Sequence, residues 1–110
     1  MAGGYPCQNV DLVSFMGTEE VGGGNNMNDI WGWTDPADST EYVLLGRSNG
    51  TAFIDISDPI NPVLVANLPT QTSSSLWRDI KVYDNHAFIV AEAGEHGMQV
   101  VDLTQLGSIT

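Results

Sequence analysis

Basic residues are scarce in this sequence. Three Lys and Arg stand against 14 Asp and Glu, a formal net charge of −11, although only 15% of the 110 residues are charged. A phosphate backbone needs clustered Lys and Arg to neutralise it, so nucleic acid is excluded as a partner. An anionic membrane surface is excluded on the same ground. Cysteine occurs once, at Cys7, so no disulfide closes within the chain. A free thiol and half of a bridge to a cysteine outside this sequence both stay open. No apolar run approaches the roughly 18 residues that a spanning helix needs, so no transmembrane segment is expected. The first residues have neither a basic stretch nor an apolar core, so no signal peptide is expected.

What remains is rich in apolar residues. Hydrophobic residues make up 42% of the chain, three of them Trp, which is too many for a disordered acidic tail. They fall into short runs bounded by turn residues: Glu41-Tyr-Val-Leu-Leu-Gly46, Thr51-Ala-Phe-Ile-Asp-Ile-Ser57 and His86-Ala-Phe-Ile-Val-Ala91. Such β-branched and aromatic runs predict strands. Pro59, Pro62 and Pro69 mark the connections, and Gly22-Gly23-Gly24-Asn25-Asn26 is a flexible stretch. Asn49-Gly50-Thr51 is a glycosylation sequon, but Asn-Gly is also a strong hairpin signal, and the turn explains it better.

The chain repeats itself. Asp29-Ile30 returns fifty positions later as Asp79-Ile80. Tyr42-Val-Leu-Leu matches Ala87-Phe-Ile-Val, and Gly50-Thr-Ala-Phe-Ile-Asp-Ile-Ser57 matches Gly97-Met-Gln-Val-Val-Asp-Leu-Thr104. The offset shortens because the first copy has a longer loop, Asp35-Pro-Ala-Asp-Ser-Thr40. A period in the forties with about four strands per unit is the mark of β-propeller blades. The fold expected is therefore all-β, in propeller blades of four antiparallel strands, with fewer than two blades present. Residues 1–27 form an N-terminal segment with a ring-closing strand at 10–16 and a Gly/Asn-rich linker. Residues 28–77 form the first blade. Residues 78–110 form a second that stops before its fourth strand. One blade cannot bury its faces alone, so remaining blades or self-association are expected to complete the fold.

Four segments resemble a known family. Tyr5-Pro-Cys-Gln-Asn-Val-Asp-Leu-Val-Ser-Phe15, Asn28-Asp-Ile-Trp-Gly-Trp-Thr-Asp-Pro36, Gly50-Thr-Ala-Phe-Ile-Asp-Ile-Ser-Asp-Pro59 and Ser75-Leu-Trp-Arg-Asp-Ile-Lys-Val-Tyr83 are similar to the choice-of-anchor B family, bacterial proteins with LVIVD-type repeats. The resemblance implies a β-propeller in an exported protein, extracellular or held at the cell surface by an anchor that varies. It brings no activity with it. The lack of an export signal, later repeats and an anchor fits an N-terminal portion.

Several residues carry candidate chemistry. Asp29 and Asp79 recur at the entry to the innermost strand of each blade, where carboxylates would ring one mouth of the central channel. The neighbouring connections bring Asn28, Trp77, Arg78 and His96 to the same mouth, with Ser48, Asn49 and Glu95. Oxygen ligands suit calcium, so Asp29 and Asp79 are its candidate ligands. The alternative for each is structural: a carboxylate accepting backbone N–H bonds that tie one blade to the next. Arg78 would also neutralise Asp79. Asp55 and Asp102 recur at strand ends, where capping is the expected role. Trp31, Trp33 and Trp77 would stack on sugar rings or wedge between blades, and wedging is favoured.

Other patterns lead nowhere. Gly46-Arg-Ser48-Asn-Gly50 fits G-x-S-x-G, but a nucleophile elbow needs a helix after it and a strand follows. His86 and His96 are separated by up to roughly 33 Å of extended chain, so they do not share a metal. Glu19-Glu20 is a solvated pair. The functional expectation is a non-enzymatic module that binds or scaffolds at a bacterial surface, with a protein or glycan partner. The alternative is part of a propeller hydrolase or lyase built around Asp29, Asp79 and Arg78 at the channel mouth.

Overall fold

A computed structural model describes Pro6 and residues 8–109 of the chain. Cys7, with its two open readings, lies outside the described residues. Strands β1 (Met27–Thr34), β2 (Glu41–Arg47), β3 (Gly50–Asp55) and β4 (Val63–Pro69) form one antiparallel sheet in sequential order. Strands β5 (Arg78–Tyr83), β6 (His86–Ala91) and β7 (Met98–Asp102) form a second. The expected all-β blades are present, one with four strands and one with three. In place of a fourth strand the second sheet ends in a 3₁₀ helix, Leu103–Ser108. Neither sheet closes into a barrel, and no helix among the described residues is long and apolar enough to cross a membrane.

Turn chemistry sets the strand ends. Asp84 and Asn85 both have positive φ, 49° and 58°, and join Tyr83 to His86 as a two-residue loop. That is the type I′ geometry matching the twist of a hairpin. The β2–β3 loop is Ser48-Asn49, and Gly50 opens β3; a Cβ at Gly50 would collide with the Leu68 carbonyl oxygen. The third strand ends at Asp55, two residues earlier than its apolar run, because the Asp55 carboxylate accepts the Ser57 amide at 2.8 Å and turns the chain.

The core lies between the sheets. Trp33, Tyr42, Leu44 and Phe53 of the first sheet meet Ile80, Ala87 and Ile89 of the second, and Leu103 and Leu106 of the 3₁₀ helix close one side. Burying each large side chain contributes about 1.5–3 kcal/mol. Trp33 and Tyr42 stack at 5.6 Å between ring centroids, and the Trp33 indole donates to Asn85 Oδ1 at 3.0 Å. The wedging role expected of a tryptophan therefore falls to Trp33. A second cluster, Val21, Ala52 and Ile54, covers the other face of the first sheet with help from Met16.

Two expectations about the chain need restating. Residues 10–16 pair with neither sheet; Val10, Leu12, Val13 and Phe15 are exposed, and Ser14 Oγ donates to the Pro59 carbonyl at 2.8 Å. The ring-closing strand expected there would belong to a sheet outside the described residues. The repeat alignment of Tyr42 with Ala87 is a register error. Trp33 pairs with Tyr42, and its repeat equivalent Tyr83 pairs with His86, so Tyr42 corresponds to His86 and Leu44 to Phe88. A one-residue slip moves every side chain to the opposite face.

Candidate functional site

The inner strands β1 and β5 run side by side, and the residues expected at the channel mouth gather around them. Asn28 Oδ1 accepts the Arg78 amide at 3.0 Å, and Asp29 Oδ2 accepts the Ile80 amide at 2.8 Å. Both donors lie on the free edge of β5, so two side chains of one blade satisfy backbone groups of the next. This is the structural role weighed for Asp29. Gly46 makes room for it: a Cβ there would stand 3.3 Å from the Asp29 carbonyl oxygen and 3.6 Å from Arg78 Cβ.

Arg78 turns inward. Its side chain is buried, with Nε donating to the Arg47 carbonyl at 2.9 Å and Nη1 3.2 Å from His96 Nε2. Because a guanidinium only donates, His96 Nε2 accepts, and Nδ1 carries the proton that goes to the Gly97 carbonyl at 2.9 Å. His96 is thus a buried structural histidine that holds Arg78. Burial lowers the Arg78 pKa, and the nearby Arg47 charge lowers it further. Arg78 does not neutralise Asp79.

The first sheet has its own buried guanidinium, which the sequence did not reveal. Arg47 Nη1 donates to the Gly22 carbonyl at 2.8 Å and Asn49 Oδ1 at 2.6 Å, while Nη2 donates to Asn67 Oδ1 at 2.7 Å. It thereby fastens the glycine linker to the β2–β3 loop and β4. Burial lowers its pKa as well. No carboxylate marks Arg47 in the sequence, since all these acceptors are carbonyl or amide oxygens. The third base, Lys81, sits with Nζ 4.4 Å from the centre of the Trp31 ring, a cation–π contact.

What stays open is a cavity of about 360 Å³ lined by Asn28, Trp77, Arg78, Asp79 and Glu92 with Val90 and Ala91. Four of the six expected mouth residues meet there. Asp29 does not line it, and His96 lines a separate depression on the outer side of β7. Trp77 is 57% exposed and Asp79 is also exposed. Ser48 sits in the β2–β3 loop and accepts the Asn25 amide through Oγ at 3.1 Å, with no helix after it. No group of three or more His, Cys, Asp or Glu that could hold a metal occurs among the described residues.

Asp55 and Asp102 cap strand ends as expected. The Asp102 carboxylate accepts the Thr104 amide at 3.0 Å and its hydroxyl at 2.6 Å.

A four-stranded and a three-stranded antiparallel sheet, tied inner strand to inner strand, fit an all-β repeat module of the propeller type. Residues 39–70, from the turn before β2 to the end of β4, match the LVIVD repeat. No curated protein and no solved structure matches the chain.

Proposed function

We propose that this chain is a non-enzymatic binding or scaffolding module of a β-propeller, from an exported protein of the choice-of-anchor B kind that works at a bacterial cell surface. The observation that carries the reading is the division of labour at the mouth. Asn28, Asp29 and Arg78 are committed to bonds that hold the two blades together, and His96 is committed to Arg78 and to the Gly97 carbonyl. The groups left facing the cavity are an exposed indole, Trp77, flanked by the carboxylates Asp79 and Glu92. An aromatic platform with carboxylate acceptors at its rim suits the apolar face and hydroxyls of a sugar ring, and equally a polar segment of another surface protein.

Titrating the chain with bacterial surface polysaccharides and following tryptophan fluorescence tests this. Wild type is expected to bind, and Trp77→Ala to bind about tenfold more weakly, given the roughly 0.5–1.5 kcal/mol of an aromatic contact beyond its buried area. Binding that Trp77→Ala leaves unchanged would remove the site. Calcium enters the same reading as a ligand of Asp79 together with Glu92, since Asp29 is engaged with Ile80. Calcium binding that Asp79→Asn abolishes would support it, and a flat wild-type titration would discard it.

A further inference from the structure

The turn Gly46-Arg-Ser48-Asn-Gly50, which is no nucleophile elbow, bounds a second open cavity. It encloses about 390 Å³ between Asn25 and Asn26 of the glycine linker, Ser48 and Asn49, and the segment Ser74-Ser75-Leu76 before β5. That volume lies within the range of about 300–1,000 Å³ common for small-molecule sites. None of the lining residues is ionisable. Trp77, Asp79 and Glu92 line the neighbouring cavity and not this one. The linker closes onto the turn through Gly24, whose φ is 99° and where a Cβ would stand 2.8 Å from Asn49 Oδ1.

The acceptors of the β2–β3 loop are all engaged. The Ser48 carbonyl accepts the Ser75 amide at 2.8 Å, and the Asn49 carbonyl accepts the Thr70 amide at 2.9 Å. Ser48 Oγ accepts the Asn25 amide, and Asn49 Oδ1 accepts Arg47 Nη1. A guanidinium only donates, so this last bond fixes which way the Asn49 amide is turned. What the loop has left is donors: Asn49 Nδ2 and the Ser48 hydroxyl proton, neither with an acceptor among the described residues. Behind the loop stand two of the three basic side chains. Arg47 and Arg78 are 3% and 1% exposed, and every group that accepts from them is a carbonyl, an amide oxygen or the His96 imidazole. Arg47 Nε is buried with no partner among the described residues. A guanidinium stays charged inside a protein, and a buried charge without a counter-ion is costly.

We infer that this cavity binds an acidic sugar by its carboxylate. Asn49 Nδ2 and the Ser48 hydroxyl donate to the carboxylate oxygens. The positive potential of Arg47 and Arg78 favours negative charge there, because buried charges act through a medium that screens them weakly. A chain of net charge −11 can still hold an anion at this one place, since its two buried cations lie under a cavity without a carboxylate in its lining. The space is larger than a bare oxyanion needs. The rest of the lining suits a polyhydroxylated ring: Asn25, Asn26 and Ser74 supply amides and a hydroxyl, and Leu76, 56% exposed, supplies an apolar contact. This is a second site, and it does not rest on the platform at Trp77.

Isothermal titration calorimetry of the full chain with sodium glucuronate tests it. Glucuronate is expected to bind, and glucose, which lacks the carboxylate, to bind at least about tenfold more weakly, as loss of a charged hydrogen bond requires. Asn49→Asp sets a carboxylate on Arg47 and removes the Nδ2 donors. It is expected to abolish glucuronate binding and, without ligand, to raise the melting temperature, a gain that mere damage to the loop would not give. Ser48→Ala, with its β-sheet circular dichroism unchanged, is expected to bind about tenfold more weakly. Trp77→Ala is expected to keep wild-type affinity for glucuronate, so this cavity and the Trp77 platform stand or fail separately. A wild type that does not bind glucuronate, equal affinity for glucose, or an Asn49→Asp variant that binds as wild type does would each overturn the inference. So would loss of glucuronate binding in Trp77→Ala, or sodium acetate or phosphate binding as tightly as glucuronate at matched ionic strength.

Discussion

The two sheets are built from one repeat and differ mainly in their neighbours. In the first, Leu44 and Phe53 bury against the second sheet while Ala52 and Ile54 bury under the N-terminal segment, so both faces are covered. In the second, only the face carrying Ile80, Ala87 and Ile89 is covered. A residue's burial here is decided less by its own type than by whether another blade stands against it. Stability in such proteins resides largely in the interfaces between repeats.

The strongest test of that contrast is a pair of truncations. Leu44→Ala, fully buried between the sheets, is expected to cost about 2–5 kcal/mol. Val90→Ala, on the open face, is expected to change stability by less than about 0.5 kcal/mol. Urea unfolding of both variants reads the difference, and equal losses would refute it. The recurring aspartates give a smaller effect. Asp29→Ala leaves the Ile80 amide without its acceptor and is expected to cost about 1–3 kcal/mol. Asp79→Ala, at an exposed position, is expected to leave stability unchanged. The smallest effect concerns pH. The hydrogen bonds from the Thr104 hydroxyl and amide hold the Asp102 pKa below its ordinary value. A depressed carboxylate stabilises the fold above its unfolded pKa, and that contribution fades as pH falls through the folded pKa. Asp102→Asn should therefore lower the melting temperature slightly at neutral pH, with the gap to wild type closing in acid. A gap that persists under strongly acidic conditions would contradict this.

Much of this was legible in the sequence. Strands bounded by Pro, Gly and Asn announced themselves, and the return of Asp-Ile at a fixed place in each copy pointed to a tie between blades. The register of β2 against β6 was not legible. Tyr42-Val-Leu-Leu and Ala87-Phe-Ile-Val are continuous apolar runs, so sliding one by a residue leaves the pattern equally good. Only the pairing with β1 and β5 decides it. Arg47 was hidden for another reason: a guanidinium held by carbonyl and amide oxygens leaves no charged partner to find. The open cavity was anticipated in most of its lining, but the inward turn of Arg78 toward His96 depends on the fold and not on spacing.

One feature of the tie between the blades bears on how such repeats diverge. Asp29 grips the peptide N–H of Ile80, and Asn28 that of Arg78; neither needs the side chain of its partner. Drift at either receiving position therefore leaves the tie itself intact for nineteen of the twenty amino acids. Proline alone, having no N–H to give, would cut it.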